Sequence, residues 1–243
     1  MNKDSLLKQP LKEVQNHLKE LKAEERIQWA ANEFDHKFVA TTSFGIQSAV
    51  LLHMLQINKQ IQTNVIWVDT GYLPEETYKY AEQLRNQLNL NLKVVQSEIS
   101  PARMEAQFGQ LWNTGKVEDL EQYHLIRKVQ PLERTLENLQ VKCWASGVRS
   151  NQTNHRSSMT YLDLIRNRLS LRPLLEWTQK DIFYYMKENK LPQHPLFEKG
   201  YSTVGDWHSS TPEGTNNKGR ETRFGGLKQE CGIHVQGFLG DGI

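Results

Sequence analysis

The sequence predicts an α/β fold in which helices cover both faces of a mainly parallel sheet. Short apolar runs alternate with segments of helical periodicity: "TNVIWVDT" is apolar and β-branched, and "LPEETYKYAEQLRNQLN", which follows it, has Pro74 and acidic residues in its first turn. The strand-like runs are apolar almost throughout, which is typical of strands buried on both faces. A chain of 243 residues can form one large domain of this kind.

The elements follow one another in a regular order. Apolar residues between 11 and 34 recur at helical spacing and predict one or two amphipathic helices packed on a core. We then expect the strand "KFVATTS", the helix "IQSAVLLHMLQI", the strand "TNVIWVDT", a helix, the strand "NLKVVQSE" and a mainly helical region over 102–138. "VKCWASGV" and "LSLRPLL" are read as further strands, and "TQKDIFYYMKENK" as a helix capped by Thr178.

Composition suggests three parts. Residues 1–36 form an N-terminal helical segment on the core, and 37–205 form a nucleotide-binding α/β domain. Past Pro192 the chain becomes rich in Gly, Ser, Thr and Asn, as in "STPEGTNNKGRET". We therefore expect 206–243 to be a mobile C-terminal tail.

Charge and cysteine content exclude several classes of protein. Thirty Lys and Arg against 28 Asp and Glu give a net charge of +2, which does not favour nucleic acid as a partner. The sequence contains no apolar run long enough for a bilayer and no signal-peptide pattern, so no membrane association is expected. With only two cysteines, far apart, we expect a reducing, cytoplasmic location.

Polar residues follow the first two predicted strands. Ser43, Gly45 and Ser48 lie in the turn and the helix start after the first strand, where backbone N–H groups can hold an anion. Simple helix capping by the two serines is about equally consistent with the spacing. Asp69 and Thr70 end the second strand and fit the rim of a nucleotide pocket, although an ordinary turn would look similar.

Arginines follow the "VKCWASGV" strand in two groups. Arg149 and Arg156 belong to "SGVRSNQTNHRSS" at the same predicted sheet edge, and guanidinium groups there suit phosphate recognition. Three more arginines follow, Arg166, Arg168 and Arg172. We expect Arg166 or Arg168, at least, to pair with a surface carboxylate instead.

The two cysteines differ in their surroundings. Cys231 in "GLKQECGIHVQGF" has charged residues and glycine beside it, which suits a reactive thiolate on a movable segment. Cys143 lies in a predicted strand and is expected to be a buried thiol. The eight histidines show no metal-ligand spacing, and two distant cysteines cannot assemble a zinc or iron–sulfur set.

Several stretches together resemble one family, the assimilatory phosphoadenylyl-sulfate (PAPS) reductases. They are "TTSFGIQSAV", "VDTGYLPEETY", "RKVQPLERTL", "SGVR", "HPLFEKGYSTVGD" and "ETRFGGLKQECGIH". "KQECGIH", close to a Lys-x-Glu-Cys-Gly-x-His signature, is the most specific. The resemblance implies an adenine-nucleotide hydrolase-like (Rossmann-like) three-layer sandwich. It also implies a homodimeric cytoplasmic enzyme that reduces PAPS to sulfite with electrons from thioredoxin or glutaredoxin.

Departures from related families sharpen this resemblance. The turn "SFGIQS" has Gln47 where ATP pyrophosphatases have an acidic residue, which argues against ATP cleavage. The related adenylyl-sulfate (APS) reductases bind an iron–sulfur cluster through cysteines that are matched here by Tyr123, His124, Asp206 and Ser209. The resemblance therefore implies a cluster-free enzyme that needs no cofactor.

The resemblance also implies roles for individual residues. Cys231 is expected to attack the sulfuryl group, with Lys228, Arg223 and His234 as local sources of positive charge. Lys128 and Arg149 are expected to reach the substrate from the sheet side. The complete set of predicted substrate-binding residues is Ser43, Phe44, Gly45, Ser48, Asp69, Thr70, Lys128, Gly147, Arg149, Arg156 and Arg172.

Three alternatives stay open from the sequence. One is a cluster-free APS reductase. Another is an ATP-using adenylating or thiolating enzyme, which would release pyrophosphate and need magnesium. The third is a nucleotide-binding module without catalysis, in which Cys231 has no chemical role.

Overall fold

The structure is a computed structural model that describes residues 10–57, 62–215, 218–227, 230 and 232–234. Its core is a six-stranded sheet in the order β3-β2-β1-β4-β6-β5. The strands are β1 Phe38–Thr42, β2 Asn64–Val68, β3 Asn91–Val95, β4 Cys143–Ala145, β5 Leu162–Ile165 and β6 Arg168–Leu171. All neighbouring pairs are parallel except β5 and β6, which are antiparallel.

Helices alternate with these strands. They are α1 Leu11–Glu20, α2 Ala23–Phe34, α3 Ser48–Ile57, α4 Glu75–Gln87, α5 Pro101–Phe108, α6 Val117–His124, α7 Gln130–Asn138, α8 Asn154–Ser157 and α9 Gln179–Glu188. A π-helical turn, Leu125–Val129, joins α6 to α7. Thr178 caps α9 as predicted, its hydroxyl accepting a hydrogen bond from the Asp181 backbone N–H at 3.2 Å.

Successive residues of the central strands pack into different hydrophobic clusters. Phe38 and Ala40 of β1 belong to the larger cluster, with residues of α1 to α4 and α9. Val39, between them, belongs to a second cluster with Leu132 and Leu136 of α7. Because side chains alternate across a strand, the sheet is covered on both faces, and the predicted three-layer α/β class is confirmed.

Two parts of the sheet differ from the sequence prediction. β3 is an edge strand with most of its residues exposed or half-exposed, although its apolar composition predicted burial on both faces. β5 was not predicted. It forms a hairpin with β6 through Arg166 and Asn167, which both have positive φ, as a two-residue type I′ turn requires.

Part of the described chain beyond Pro192 is buried. Asp206 is fully buried, Thr222 and Arg223 are also buried, and Ser210 forms an isolated antiparallel bridge with Arg223. The boundary predicted at 205/206 therefore passes through a buried part of the fold. Within this stretch Asp206 accepts hydrogen bonds from Lys128 and Thr70 of the α/β domain, and a mobile tail over 206–243 stays a prediction.

Candidate active site

A cavity of about 590 Å³ opens at the carboxyl ends of the central strands. Thr41 and Thr42 of β1, Thr70 after β2, and Ser146 and Gly147 after β4 all line it. From β1 the chain adds β2 and β3 on one side of the sheet and then continues with β4 on the other side. The strand order therefore reverses between β1 and β4. This is the position at which open α/β sheets bind ligands.

The turn between β1 and α3 forms one wall of the cavity. Ser43, Gly45 and Ser48 line it, as does Gln47. The Ser48 hydroxyl donates to the Gly45 carbonyl at 2.8 Å, so this serine also helps to close the turn before the helix. Phe44 is fully buried with a φ of 46°, and its ring packs edge-on against Trp67 at 4.9 Å. Phe44 supports the turn through this packing and does not line the cavity.

Arg149 follows β4 and is buried at the cavity wall, with 3% of its surface exposed. Nη2 donates to the side-chain oxygen of Gln47, whereas Nη1 has no hydrogen-bond partner among the described residues. Burial, together with repulsion from Arg156, lowers the pKa of Arg149 to about 10. The guanidinium is still charged at neutral pH and has no carboxylate beside it in the described chain, so it can bind an anion.

Asp206 forms the second polar centre of the cavity. Its carboxylate accepts hydrogen bonds from Lys128 Nζ at 2.5 Å and from the Thr70 hydroxyl at 2.6 Å. Burial alone would raise the pKa of Asp206, but the charges of Lys128 and Arg223 and these hydrogen bonds lower it well below its usual range. The acid therefore stays ionised and holds Lys128 at the cavity. The sequence noted Asp206 only as a departure from cluster-binding relatives, and no motif signalled this contact.

Arg223 reaches the same centre from the C-terminal segment. It lines the cavity, its Nε donates to the Ser209 carbonyl at 3.2 Å, and its Nη2 donates to the Ser209 hydroxyl at 3.0 Å. A side chain at Gly205 would overlap the Arg223 guanidinium, so glycine permits this close approach. Arg223 was predicted as a catalytic residue, and the structure places it beside Lys128 and Asp206.

Aromatic side chains surround this centre. The Tyr123 hydroxyl lies 3.1 Å from His208 Nε2, and His208 stacks on Trp112 with ring centres 4.2 Å apart. Burial is the main cause that lowers the pKa of His208 to about 4, so the imidazole is neutral at pH 7. The described part of the chain contains no group of three or more His, Cys, Asp or Glu side chains arranged to hold a metal ion.

The predicted nucleophile Cys231 and its neighbour Lys228 lie outside the described residues. Glu230 and the segment 232–234 are described, and Ile233 and His234 line the cavity. His234 is partly buried, and its ring stacks on Trp144 with centres 5.0 Å apart. Burial, with repulsion from nearby arginines, lowers the pKa of His234 well below its usual value. This shift favours the neutral imidazole at pH 7, and a role for His234 beside Cys231 stays a prediction.

Two other predicted binding residues have structural partners away from the cavity. Asp69 accepts hydrogen bonds from the Gly71 backbone at 2.9 Å and from the Tyr78 hydroxyl at 2.6 Å, which fastens the turn after β2. Arg172 is 1% exposed and ion-paired with Asp163. Neither lines the cavity, in contrast to the prediction that they bind substrate directly.

The remaining sequence predictions about arginines and cysteine agree with the structure. Arg166 and Arg168 both pair with Glu133, at 2.7 and 2.6 Å. Cys143 is fully buried in β4, and burial raises the pKa of its thiol well above the usual value. It is therefore not a thiolate at neutral pH.

Fold and site together define an α/β protein with a cationic cavity at the switch point of its sheet. No helix within the described ranges has both the length and the apolar character that crossing a bilayer requires. A family model described as "Phosphoadenosine phosphosulfate reductase domain" matches residues 37–212. The chain belongs to this family, which confirms the resemblance found in the sequence.

Individual relatives are similar over nearly the whole chain. A phosphoadenosine 5'-phosphosulfate reductase of a Synechococcus species is 53% identical, covering 93% of this chain and 97% of the relative. One from Vibrio cholerae is 42% identical, covering 92% and 88% respectively.

Solved structures agree with the fold. The crystal structure of PAPS reductase from Candida auris, a phosphate complex, has a TM-score of 0.71 and 25% identity, covering 82% of this chain and 95% of that one. The FMN adenylyltransferase of Candida glabrata, with a TM-score of 0.59, 14% identity and coverage of 90% and 70%, shares the fold alone.

Proposed function

We propose that the protein reduces PAPS to sulfite and adenosine 3',5'-bisphosphate through an S-sulfonate on Cys231. The observation that supports this most directly is Arg149, a buried guanidinium whose Nη1 faces no carboxylate in the described chain. A phosphate offers the charge and the paired oxygens that such a group binds well. Relatives that share up to 53% of its residues carry the name of this activity.

The residues divide into a nucleotide side and a sulfuryl side. Backbone N–H groups of the turn after β1 and the Arg149 guanidinium bind the nucleotide phosphates. Lys128 and Arg223, held by Asp206 and Ser209, lie at the other polar centre and attract the anionic sulfuryl group. The fixed positions of both cations mean that little reorganisation accompanies the reaction.

Chemically, the Cys231 thiolate attacks the sulfur of the sulfuryl group. A sulfur–sulfur bond forms while the bond from sulfur to the phosphate oxygen breaks, and the nucleotide leaves with that electron pair. A thiolate of an external dithiol then attacks Cys231 Sγ and displaces sulfite, and its second thiol releases Cys231 as the dithiol becomes a disulfide. Cys143 cannot serve as the second thiol, because it is fully buried in β4.

The reductant in this proposal is thioredoxin or glutaredoxin, and no iron–sulfur cluster or other cofactor takes part. A thiol that must be regenerated in each turnover suits a reducing compartment, so the location proposed is the cytoplasm. The homodimer implied by the family resemblance is also part of the proposal, and light scattering of the purified protein measures it directly.

Mass spectrometry tests the nucleophile and the substrate together. Incubating the reduced protein with PAPS, without thioredoxin, is expected to add about 80 Da, the mass of one sulfonate, to the peptide that contains Cys231. Cys231→Ser should form no adduct and still bind adenosine 3',5'-bisphosphate. Cys143→Ser is the matched control and should form the adduct normally.

Steady-state kinetics in the presence of thioredoxin compare the two substrates. Because Arg149 is expected to bind a nucleotide phosphate, kcat/KM for PAPS should exceed that for APS by about 100-fold, or 2.7 kcal/mol. Equal efficiency with APS would contradict recognition of the 3'-phosphate, and an adduct on Cys143 would contradict the assignment of the nucleophile.

A further inference from the structure

Glu230, which precedes Cys231 in the sequence, is bound by Arg156 through two parallel hydrogen bonds. Arg156 Nε lies 2.7 Å from Oε1, and Nη2 lies 2.7 Å from Oε2. The Thr153 hydroxyl donates to Oε1 at 2.9 Å. Such a bidentate arrangement is the strongest geometry for an arginine and a carboxylate.

The pair is largely removed from water. The Arg156 side chain is 6% exposed and the Glu230 side chain 12%. Burial alone would raise the pKa of Glu230, but hydrogen bonding and attraction by Arg156, with the charge of Arg220, lower it, so the carboxylate is ionised. In this environment removing one partner leaves the other charge buried and uncompensated.

Arg156 therefore differs from Arg149, although both follow β4 and both line the cavity. Each of the three guanidinium nitrogens of Arg156 has a protein partner, since Nη1 donates to Gln152 and the other two bind Glu230. Arg149 has no partner at Nη1 among the described residues. Arg156 thus binds the C-terminal segment, whereas Arg149 has a guanidinium nitrogen that can bind a ligand.

The chain is also attached on the other side of position 231. Arg166 Nη2 donates to the Ile233 carbonyl at 2.7 Å, and Nη1 donates to the Gly232 carbonyl at 3.3 Å. Arg166 is itself held by Glu133 at 2.7 Å. The residues that flank Cys231 in the sequence are therefore both bound to arginines of the α/β domain.

We propose that Glu230 is a positioning residue, whose pair with Arg156 holds the cysteine-bearing segment at the cavity. In this arrangement Arg156 binds the protein's own carboxylate, and the substrate's phosphates are bound by other groups. The inference rests on the proposed function and deepens it, because it assigns the attachment of the nucleophile to one ion pair.

Glu230→Gln, which keeps the shape of the side chain and removes its charge, tests the proposal. At saturating PAPS, formation of the Cys231 sulfonate in a single turnover should be about tenfold slower or more, because the segment is held less well. The dissociation constant for adenosine 3',5'-bisphosphate, measured by calorimetry, should stay within about threefold, since the phosphate ligands are untouched. Iodoacetamide should alkylate Cys231 faster than in the unmodified protein.

Matched variants distinguish an effect on the position of the cysteine-bearing segment from a general loss of folded structure. Glu221→Gln, an exposed change in the same segment, should leave all three measurements unchanged. Arg156→Met should reproduce the Glu230→Gln result, and the double variant should be no slower than the slower single one, as expected for two residues that act as a pair. Thermal melting of each variant confirms that the domain is folded.

Two outcomes would overturn the proposal. Tighter binding of adenosine 3',5'-bisphosphate to Glu230→Gln, with weaker binding to Arg156→Met, would show that a phosphate competes with Glu230 for Arg156. An unchanged single-turnover rate in Glu230→Gln would show that the pair does not position the nucleophile. If the unmodified protein formed no sulfonate, the proposed function would fail instead, and the alkylation rates would still report whether Glu230 holds the segment.

Discussion

The two walls of the cavity are built in different ways. One wall consists of the turns after β1 and β4, where the register of a parallel sheet fixes the backbone and brings Ser43, Gly45 and Arg149 together. The other wall consists of irregular chain from 202 onwards, held by the contacts of Asp206, Arg223 and Glu230. The first wall therefore depends on the sheet, and the second on a few buried polar contacts. Removing one such buried contact should therefore lower the free energy of unfolding more than removing a solvated contact elsewhere.

The largest effect on stability is expected at Asp206. Asp206→Asn leaves Lys128 and Arg223 without their buried counter-charge and should lower the free energy of unfolding by about 3–5 kcal/mol. Because the folded pKa of Asp206 is depressed, its contribution is present above the unfolded pKa of about 3.9 and is lost as pH falls below that value. Urea unfolding at pH 7 and at pH 3 measures both effects.

Glu76→Gln provides the matched control for this change. Glu76 pairs with Lys199 at 2.8 Å, but the lysine side chain is 62% exposed and the pair is solvated. Its loss should cost about 1 kcal/mol or less. Similar losses for Glu76→Gln and Asp206→Asn would contradict the view that the second wall depends on a buried ion pair.

Arg149→Met should separate binding from stability. It removes the guanidinium proposed to bind phosphate and should weaken binding of adenosine 3',5'-bisphosphate by about 100-fold, or 2.7 kcal/mol. The free energy of unfolding should not fall, because a buried charge without a carboxylate is costly to the folded state. Calorimetry and urea unfolding measure the two quantities.

Arg85→Met is the control for the arginine change, since Arg85 is half exposed and pairs only with Glu82 on the surface of α4. It should alter neither binding nor stability appreciably. A large loss of stability in Arg149→Met would show that Arg149 holds the first wall together, against the distinction drawn between the two walls.

The smallest effect concerns His194, at the start of the irregular region. The Leu196 backbone N–H donates to His194 Nδ1 at 3.1 Å, and burial lowers the pKa of the imidazole to about 4. The unfolded chain, with a pKa of about 6.5, then binds the proton more readily than the folded protein, so stability falls as pH falls from 6.5 towards 4. Between pH 6.5 and 5.5 this group should account for a loss of about 1 kcal/mol.

His194→Gln isolates this contribution, because glutamine can still hydrogen-bond but does not titrate. The free energy of unfolding of each protein is measured in urea between pH 6.5 and 5.5. Over this range it should fall by about 1 kcal/mol more in the unmodified protein than in His194→Gln. Identical slopes would mean that His194 is not held neutral by its burial.

The sequence predicted the first wall better than the second for physical reasons. Strand ends of a parallel sheet meet at one edge, so a polar residue after a strand can be placed without knowing its partners. Ser43, Ser48 and Arg149 were found in this way. The contact of Lys128 with Asp206 joins residues 78 positions apart, and no local pattern reveals it. Arg156 was assigned to phosphate because an arginine near a strand end looks the same whether its partner is a ligand or Glu230.

The same reasoning explains the errors in the fold. The apolar composition of β3 does not distinguish a central strand from an edge strand, because only the number of neighbours differs. The β5–β6 hairpin was missed because its turn, Arg166 and Asn167, lacks the glycine that usually marks such turns. Asp69 follows a strand like a ligand-binding residue, but its Oδ1 accepts from the Gly71 backbone and its Oδ2 from the Gln96 side chain.

The π-helical turn between α6 and α7 sets the direction of the Lys128 side chain relative to Tyr123. Lys128 Nζ lies 5.9 Å from the centre of the Tyr123 ring, and the Gln130 N–H bonds to the Leu125 carbonyl five residues back. In an α-helix of 3.6 residues per turn, side chains five apart point in directions about 140° away from each other. The surplus residue taken up by this turn thus lets Lys128 and Tyr123 share a face, which an uninterrupted α-helix of the same sequence would not allow.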